Sequence, residues 1–488
     1  MNQLYINIDP PYNTGNKDFI FNDRYVDPED AYRHSKWLSF MEKRLKLAKN
    51  LLKDTGVIFI SIDDNEVAQL KLLMDDQNKG LFGENNFLGI LIWVRKKKGS
   101  HLSETLRKMT EYILVYKRNK IIPFWGEEAY KNKWQPLLKR TNREKILRFS
   151  SGVVKATIKD GIYKKGIYGK GGTAVTLLND IEVKNGVVKT DFSLKSRFVW
   201  TQAKLDEELS IGTKVAINSL GFGPNVFRWN QLEKFKKPTT LLNEEMGVGT
   251  NEDASEELRN IFNLGGDNPL FAYPKAVSLM EYLIKTVTYN NKDAIILDFM
   301  AGTGTTGQAV LELNKKDSGN RKFILCTNNE DNNSSGYKIA EDICYPRIKK
   351  VIEGYKNLKG EWVEGLGGNL KYFKTDFVDA EPTDKNKLKL TEQATEMLCI
   401  KESTFESIID NEKFKLFKNS NHYTGIIWDQ TTISEFKKKI KDIKGKLSIY
   451  VFSLGDETFD EEFKDIKQKV QLSPIPEAIL RVYRRVFK

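Results

Sequence analysis

An apolar run near the start of the chain, Leu4–Ile8, leads into an acidic residue, two prolines and a tyrosine: Asp9, Pro10, Pro11 and Tyr12. The run predicts a buried strand, and the prolines predict a rigid exit from it, because each fixes φ and has no N–H to donate. A carboxylate, a free carbonyl oxygen and an aromatic ring then lie side by side. They suit a planar group that stacks on Tyr12 while its amine donates to Asp9 and the Pro10 carbonyl. An ordinary strand-to-turn exit is the alternative.

Helical and strand-like segments alternate after this loop. Helical spacing of apolar residues covers Trp37–Leu52 and Val67–Met74, and continuous apolar runs predict strands at Val57–Ile62, Ile90–Val94 and Tyr112–Tyr116. Strands that alternate with helices favour an α/β fold with a parallel sheet, and such sheets bind ligands at the carboxyl ends of their strands. The first loop of the chain lies at such an end.

A second unit of strand and loop occurs late in the chain. Ala294–Asp298 predicts a buried strand, a glycine-rich turn follows, and Ala309–Leu313 continues as a helix. A strand, a glycine-rich turn and a helix N-terminus together form a site for a nucleotide-like ligand. The residues predicted to line this site are Asp298, Phe299, Met300, Ala301, Gly302, Gly304, Thr305 and Thr306.

The neighbours of the glycines narrow the class of ligand. Two threonines follow Gly304 where a triphosphate-binding loop requires Gly-Lys-Ser/Thr, so a nucleoside triphosphate is disfavoured. The spacing of Gly302, Gly304 and Gly307 fits a dinucleotide-binding turn, with Glu330 after the strand Lys322–Cys326 as the partner of the ribose hydroxyls. S-adenosylmethionine needs the same tight turn and ribose partner without a pyrophosphate.

The charge of the chain favours a polyanionic partner. The formal net charge is +12 and the sequence pI is about 9.1, and basic proteins gain affinity for nucleic acid from the counterions that it releases. A basic run directly after the predicted strand Ile90–Val94 is expected to contact a phosphate backbone: Arg95, Lys96, Lys97 and Lys98. A solvated surface loop is the alternative explanation of this run.

The composition changes between Ile121 and Leu242, where Lys, Gly, Tyr and Thr are interleaved. Hairpin signals at Asp160-Gly161 and Asn185-Gly186 predict a separate β-rich insertion. Within it, Gly-Ile-Tyr-Lys-Lys is followed by Gly-Ile-Tyr-Gly-Lys over residues 161–170, which mixes aromatic and basic side chains as nucleic acid surfaces do. A plain basic hairpin is the alternative.

Length and composition exclude several classes of protein. With 488 residues, 40% apolar and 30% charged, the chain fits a soluble globular protein of about three domains. No apolar run approaches the roughly 20 residues of a membrane span, and no basic-then-apolar leader is evident, so we expect a cytoplasmic location. Three cysteines and three histidines are too few for a disulfide framework or a zinc cluster, and we expect no metal.

Taken together, these blocks resemble the amino-group DNA methyltransferases of the β order, and they look most like the adenine-specific modification subunits of type III restriction-modification systems. The resemblance rests on Ile8–Gly15, Gly56–Asp64, Phe271–Lys275 and Asp298–Thr306, with the insertion between the second and third blocks. It implies a Rossmann-like α/β methyltransferase domain in permuted motif order, an inserted β-rich target-recognition domain and a C-terminal α/β module. The implied boundaries are 1–119, 120–245, 246–357 and 358–488.

The resemblance also implies roles for residues and partners. It implies catalysis at Asp9, Pro10, Pro11 and Tyr12, and it adds Lys275 to the cofactor-binding residues named above. The implied cofactor is S-adenosylmethionine and the implied substrate is double-stranded DNA. The implied partners are a second copy of the chain and a helicase-nuclease restriction subunit.

Three features depart from the family pattern. The Asp-Pro-Pro-Tyr block begins almost at Met1, whereas the family usually has several dozen residues before it, so we expect a shortened chain. Met300 lies where the glycine-rich block prefers Phe, and no acidic residue directly ends the strand at Cys326.

The implied reaction has a simple physical demand. Adenine N6 is a poor nucleophile because its lone pair is delocalised into the ring, and donation of both its hydrogens to Asp9 and the Pro10 carbonyl localises that pair. Alignment of nitrogen, methyl carbon and sulfur then suffices, without a metal or covalent nucleophile. A base inside a duplex must flip out to reach such a pocket and stack on Tyr12. Two alternatives stay open: a methyltransferase that acts on RNA, and a catalytically impaired specificity subunit that serves a nuclease.

Overall fold

The structure, a computed structural model, describes residues 4–15, 20–21, 24–25, 29–99, 105–126, 134–228, 235–265, 274–329, 337–379, 381, 383–454, 457, 459–466 and 470–486. The chain divides into two compact units. The main unit consists of Met1–Ile121, Leu241–Ile284 and Asn290–Lys488, and the insertion unit consists of Ile122–Thr240 and Lys285–Tyr289. The finer division of the main unit into a catalytic half, a cofactor half and a C-terminal module stays a prediction.

The described strands of the chain follow one another in this order: β1 Leu4–Ile8, β2 Ile20–Phe21, β3 Arg24–Tyr25, β4 Val57–Ile62, β5 Phe87–Val94, β6 Thr110–Lys117, β7 Gln135–Pro136, β8 Lys145–Phe149, β9 Val154–Ala156, β10 Gly161–Tyr163, β11 Gly166–Tyr168, β12 Val175–Leu177, β13 Ile181–Lys184, β14 Val187–Val188, β15 Phe192–Ser196, β16 Lys214–Ile217, β17 Pro224–Phe227, β18 Leu241–Leu242, β19 Ile295–Asp298, β20 Lys322–Leu325, β21 Gly354–Lys356, β22 Trp362–Glu364, β23 Glu406–Asp410, β24 Phe414–Lys418, β25 His422–Ile427, β26 Lys446–Phe452 and β27 Val470–Ile475.

The described α-helices are α1 Arg33–Leu51, α2 Val67–Asp75, α3 Gln202–Ser210, α4 Asn251–Phe262, α5 Val277–Thr288, α6 Thr305–Asp317, α7 Tyr345–Glu353, α8 Asp384–Gln393, α9 Thr395–Glu402, α10 Ile433–Ile440 and α11 Glu477–Val486. A π-helical turn, Ile339–Cys344, leads directly into α7.

The main unit is built around a seven-stranded sheet with the described order β18-β5-β6-β4-β1-β19-β20. Strand β6 runs antiparallel to both of its neighbours, and the other pairs are parallel. The prediction of a parallel sheet is therefore wrong for the pairs β4-β6 and β5-β6. The connection between β5 and β6 has no helix in its described part, and a parallel pair would need a long crossover, usually helical.

The central position of β1 determines where the two sequence motifs meet. Strand β1 pairs in parallel with β19, with Leu4 opposite Ile295 and Ile6 opposite Leu297. The carboxyl ends of parallel strands lie at the same edge of a sheet, so Asp9 and Asp298 lie at neighbouring strand ends. This arrangement confirms the predicted Rossmann-like fold with permuted motif order.

Helices α1 and α2 cover this sheet because each presents an apolar stripe of helical period. The apolar core between helices and strands is almost inaccessible, with every side chain at most 5% exposed: Ile6, Ile8, Trp37, Met41, Leu45, Ile58, Ile60, Leu70, Leu73 and Met74. Burial of each large side chain contributes roughly 1.5–3 kcal/mol, so this core holds the ends of β1 and β4 in fixed places.

Helix α4 begins in an acidic segment that contains Glu252, Asp253, Glu256 and Glu257. Its first turn contains a capping box: the Thr250 side chain accepts from the Asp253 N–H, and the Asp253 carboxylate accepts from the Thr250 N–H at 2.8 Å. The spacing of a hydroxyl residue and an acid three positions later is the local signal that predicts this start.

The insertion unit is β-rich, as predicted. Its described sheets have the orders β10-β13-β14-β9-β16-β17-β7 and β11-β12-β15-β8. Asn185 and Gly186 both have positive φ and join β13 to β14, which confirms the hairpin predicted there. The hairpin predicted at Asp160-Gly161 is wrong: β10 pairs with β13, and the Asp160 carboxylate accepts from the Asn185 N–H at 2.8 Å.

The C-terminal residues of the main unit form a further α/β layer, as predicted. The described sheet has the order β23-β24-β25-β26-β27, with antiparallel pairs up to β25 and parallel pairs after it. Phe436 and Ile440 of α10 pack in one core cluster with Leu447 and Ile449, whereas α9 and α11 contribute to another cluster around Tyr450. Alternating burial along β26 thus covers both of its faces.

The described part of the chain contains no helix long and apolar enough to cross a membrane. Cys326, Cys344 and Cys399 are free thiols. No group of three or more His, Cys, Asp or Glu side chains in the described ranges is arranged to hold a metal ion.

Candidate active site

The Asp-Pro-Pro-Tyr loop after β1 is fastened to the helices that cover the sheet. The indole Nε1 of Trp37 donates to the Pro11 carbonyl at 2.7 Å. Asn13 adopts a left-handed conformation with φ of 57°, and its Nδ2 donates to Glu66 Oε1 at 2.5 Å. The same oxygen lies 2.7 Å from His34 Nδ1, and the Glu66 side chain is fully buried. The loop is therefore held at both its second proline and its following asparagine.

Asp9 has one carboxylate oxygen engaged and one free. Its Oδ1 accepts from the Tyr12 hydroxyl at 2.8 Å and lies 3.2 Å from Lys275 Nζ. Within the described residues, no donor reaches Asp9 Oδ2 or the Pro10 carbonyl. The Asp9 side chain is 31% exposed. Two acceptors at this strand end are thus available to a ligand, as the sequence predicts for Asp9 and Pro10.

The hydroxyl of Tyr12 accepts a hydrogen bond from Lys275. Lys275 Nζ lies 2.8 Å from the hydroxyl oxygen and 4.8 Å from the ring centroid, so the ammonium lies at the hydroxyl end and not over a face of the ring. The ammonium therefore does not cover a face of the Tyr12 ring. The sequence predicted a role for the ring alone, and these contacts of the hydroxyl were missed.

Glu111 of β6 completes this site, and sequence reasoning missed it. Its Oε2 lies 2.8 Å from Lys275 Nζ and 3.1 Å from the Tyr12 hydroxyl, and its Oε1 accepts from Arg95 Nη1 at 2.9 Å. The available signal was an acidic residue within the otherwise apolar strand Thr110–Lys117. Lys275, assigned by resemblance to the cofactor, contacts the Asp9 loop in this structure.

Burial and the neighbouring charges together determine the direction in which the pKa of Asp9, Glu111 and Lys275 is shifted. Burial raises the pKa of Asp9, Lys275 lowers it and Glu111 raises it again, with a net shift above the ordinary value. Burial also opposes ionisation of Glu111, but Lys275 and Arg95 hold the pKa of that carboxyl below its ordinary value. The pKa of Lys275 is raised, because Asp9 and Glu111 together outweigh its burial. Glu111 and Lys275 are therefore an ion pair at neutral pH.

The glycine-rich turn after β19 has the backbone that the sequence predicts. Gly302 and Gly304 have φ of 48° and 84°, which L side chains rarely adopt. A Cβ atom at Gly304 would lie 2.9 Å from Cys344 Sγ. The Ala301 carbonyl accepts from the Gly304 N–H at 2.7 Å. Helix α6 begins at the next residue, Thr305, so its N–H groups face the turn.

Asp298 accepts hydrogen bonds from the same turn and from the first turn of α6. Its Oδ1 accepts from the Met300 N–H at 3.0 Å, and its Oδ2 accepts from the Thr306 hydroxyl at 2.6 Å. Burial raises the pKa of Asp298 to about 7, these hydrogen bonds oppose the rise, and the nearby Asp9 adds to it. The two carboxylates are thus close enough to interact. Phe299 and Met300 pack partly buried against the core cluster of the sheet.

A buried arginine that sequence reasoning missed supports the turn. Arg347 of α7 is fully buried. Its Nη1 donates to the hydroxyls of Thr303 and Thr305, both at 2.9 Å, and its Nε donates to Gln308 Oε1 at 2.9 Å. The residue lies in a separate helix far along the chain, so local sequence offered no signal for this contact.

The predicted DNA-binding run divides into two kinds of side chain. Arg95 is bound to Glu111 and is only 20% exposed. Lys97 pairs with Asp253 at 2.6 Å. Lys96 and Lys98 form no ion pair within the described residues, and Lys98 is exposed. The prediction for Arg95 to Lys98 thus stays a prediction that fits Lys96 and Lys98 best.

The repeat in the insertion unit exposes its isoleucines. The rings of Tyr163 and Tyr168 lie 5.4 and 4.5 Å from that of the buried Phe222. Ile162 and Ile167, one residue before each tyrosine, are 68% and 75% exposed. The two tyrosines thus pack on Phe222, and the isoleucines and lysines of the repeat are exposed.

Two predicted elements lie outside the described residues. Glu330, the predicted ribose partner, is one of them, and the family block before Lys275, Phe271–Pro274, is described only at its last residue.

The comparisons with known proteins decide the family. A family described as DNA methylase matches residues 5–350 of the chain. The chain belongs to this family. The match covers the main sheet, both loops and the insertion, and it confirms the resemblance found in the sequence.

The chain is similar to three DNA methylase relatives. It is 35% identical over 385 residues to the type III restriction-modification enzyme StyLTI Mod subunit of Salmonella typhimurium, covering 71% of this chain and 53% of that one. It is 33% identical over 401 residues to the EcoPI Mod subunit of Escherichia phage P1, covering 72% and 59%. It is 29% identical over 366 residues to the type II methyltransferase M.KpnI of Klebsiella pneumoniae, covering 73% and 84%. The chain thus spans little more than half of the two Mod subunits.

Proposed function

We propose that this chain transfers a methyl group from S-adenosylmethionine to N6 of adenine in double-stranded DNA. Membership of the DNA methylase family supports methyl transfer to DNA. The observation that carries the proposal is a pair of acceptors that no donor reaches in the described part of the chain, Asp9 Oδ2 and the Pro10 carbonyl, at a strand end next to the glycine-rich turn. An exocyclic amine has two hydrogens to donate, and these two oxygens accept them.

The residues around the turn fit S-adenosylmethionine. The left-handed glycines allow a ligand to approach the backbone closely, and Asp298 lies at the end of β19.

Residues Asp298–Thr306 would hold this cofactor, with Glu330 as the proposed ribose partner. When bound, its sulfonium group supplies an activated methyl carbon. The protein's task is then to present the nucleophile in the correct orientation.

The Asp9 loop performs that task in the proposed mechanism. Donation of the two N6 hydrogens to Asp9 and Pro10 pulls the amine toward a tetrahedral geometry, which localises its lone pair. The Tyr12 ring offers a stacking face for the flipped adenine. Because a protonated carboxyl loses an acceptor, the reaction needs Asp9 in its ionised form.

DNA capture is proposed for the insertion unit and the basic loop. The exposed Lys98 and the half-buried Lys96 suit contacts with phosphates. Ile162 and Ile167 provide apolar tips among the lysines of the repeat, and apolar side chains of this kind insert between base steps in some DNA complexes. The insertion unit is thus the proposed target-recognition domain.

The assembly is also a proposal. Two of the relatives are named as Mod subunits of type III restriction-modification enzymes. By analogy, we propose that the chain forms a homodimer, works in the cytoplasm and serves a helicase-nuclease restriction subunit.

The experiment is a methylation assay with radiolabelled S-adenosylmethionine and, in parallel, duplex DNA, RNA and protein. Digestion of the labelled product to nucleosides, followed by mass spectrometry, separates N6-methyladenine from N4-methylcytosine. We expect label in duplex DNA as N6-methyladenine and none with Asp9→Ala. Label in RNA or on cytosine would refute the proposed substrate. Sequence-selective DNA binding without any transfer would favour the impaired specificity subunit instead.

A further inference from the structure

Glu111 is an acidic side chain buried between two cations in the centre of the sheet. Its strand, β6, is paired with β5 so that Glu111 lies opposite Trp93, and its side chain is 3% exposed. Arg95 binds one carboxylate oxygen and Lys275 the other, at 2.9 and 2.8 Å. A buried carboxylate without such partners costs several kcal/mol, so Glu111 and its cations depend on one another.

Counting protons assigns each hydrogen bond of this cluster. Lys275 has three N–H groups and three acceptors at 2.8, 2.8 and 3.2 Å: the Tyr12 hydroxyl, Glu111 Oε2 and Asp9 Oδ1. Tyr12 has a single proton to donate, and the shorter of its two carboxylate contacts is to Asp9 Oδ1, 2.8 Å against 3.1 Å. Both donors therefore converge on Oδ1, and the carboxylate is oriented with Oδ2 directed away from them.

Charge balance explains why Glu111 matters to Asp9. Asp9 and Glu111 supply two negative charges, and Lys275 and Arg95 supply two positive charges. With Glu111 present, the Lys275 ammonium is shared between two carboxylates. Without it, Asp9 would be the only carboxylate paired with that ammonium, and an ion-paired carboxylate is a weaker acceptor for a neutral amine.

We propose that Glu111 is a positioning residue of the methyl-transfer site, which holds Lys275 and Tyr12 so that Asp9 offers one unshared oxygen to the target amine. This role rests on the proposed function and deepens it. Glu111 acts through Lys275 and Tyr12 and does not itself touch the substrate. Arg95 donates to Oε1 of Glu111, the carboxylate oxygen that Lys275 does not contact, so its proposed role is to hold Glu111 and not to contact phosphate.

The pH dependence separates this role from a purely structural one. The groups that face Asp9 are Tyr12 in its own loop, Lys275 before α5, Glu111 on β6 and Asp298 at the end of β19. Because the Glu111 charge raises the pKa of Asp9, Glu111→Gln should move the acid limb of the reaction to lower pH. A merely structural role would reduce the amount of folded protein and leave that limb in place.

The experiment is single-turnover methylation of duplex DNA across a pH series by the parental chain, E111Q and E111D. We expect E111Q to slow transfer on the pH plateau about tenfold or more, with its acid limb moved to lower pH. E111D keeps the charge, so its acid limb should match the parental one. Parental rates in E111Q, or a slow E111Q with an unmoved acid limb, would overturn the positioning role.

A second variant covers the case in which E111Q does not fold. The double variant E111Q/K275M restores charge balance by removing one charge of each sign, and it should fold while remaining slow. A parental rate in the double variant would overturn the inference. If the parental chain itself methylates no duplex, the proposed function fails and the inference falls with it; an active parent with an unaffected E111Q overturns the role of Glu111 alone.

Discussion

Replacement of Asp298 by asparagine should change how the stability of the main unit depends on pH. Burial raises the pKa of Asp298 from 3.8 to about 7. Between these values the folded protein retains a proton that the unfolded chain has released. The free energy of unfolding therefore falls as pH rises through this window, by about 1.4 kcal/mol per pH unit, and levels off above it. The whole window amounts to about 4 kcal/mol.

An asparagine side chain does not titrate, so this fall in the free energy of unfolding should be absent from the Asp298→Asn variant. The oxygen of the introduced amide can still accept from the Met300 N–H, and its NH2 group can donate to the Thr306 hydroxyl, so the local hydrogen bonds are replaced. Carboxyls that do not interact with Asp298 titrate equally in both proteins and cancel in the difference. We expect the difference in unfolding free energy, variant minus parent, to grow by about 3 kcal/mol between about pH 5 and pH 8.

Urea denaturation of the cofactor-free proteins at a series of pH values measures this difference, provided that the m-values agree. Asp442→Asn, at an exposed position of the main unit, is the matched control, because it also removes one carboxyl but not a buried one. If the Asp298→Asn difference stays constant within about 1 kcal/mol, the buried carboxyl does not titrate as argued.

Four further substitutions test the Asp9 loop, the glycine-rich turn and the basic run Arg95–Lys98. Asp9→Asn replaces the free acceptor by a donor, so single-turnover methylation should slow about 100-fold or more while calorimetry still detects cofactor binding; parental rates would contradict the role of Oδ2. At Gly304 φ is 84°, and the Cβ of Gly304→Ala would lie 2.9 Å from Cys344 Sγ, so the cofactor affinity measured by calorimetry should drop. The control is Gly212→Ala: φ at Gly212 is 87°, but the added Cβ meets open space among the described residues, so cofactor binding should be normal. Lys98→Gln should lower the salt slope of DNA binding by about one phosphate contact. Arg95→Gln should leave the salt slope of DNA binding unchanged and should slow methyl transfer. A lower salt slope with an unchanged rate of methyl transfer would show that Arg95 contacts phosphate.

The parts of the site that lie within one strand and its loop were predictable from sequence. The apolar run before Asp9 and the prolines after it are local signals, and so are the strand and glycines around Gly302. Parallel pairing of β1 with β19 is not local, but permuted motif order implies it. Local pattern and motif order together therefore suffice for these features.

The contacts between segments could not be predicted, because each depends on a partner far away in sequence. Glu111 forms its ion pairs with Lys275, which follows the whole insertion, and with Arg95, the residue directly after β5. Arg347 reaches the glycine-rich turn from α7. Asp160 looked like a hairpin residue, but its carboxylate caps the turn of another hairpin at Asn185. Charge runs such as Arg95 to Lys98 have the same ambiguity, since internal ion pairs and phosphate contacts use the same residues.

The central position of β1 sets an order of events during synthesis. Strands β1, β4, β5 and β6 precede the insertion in the chain, whereas β19, the neighbour that covers the second edge of β1, follows it. Until then the nascent sheet has an open, apolar edge at β1, and Glu111 lacks the lysine that balances its charge. An open edge is prone to pair with other chains. Synthesis of Lys275 and then of β19 supplies the missing cation and covers that edge.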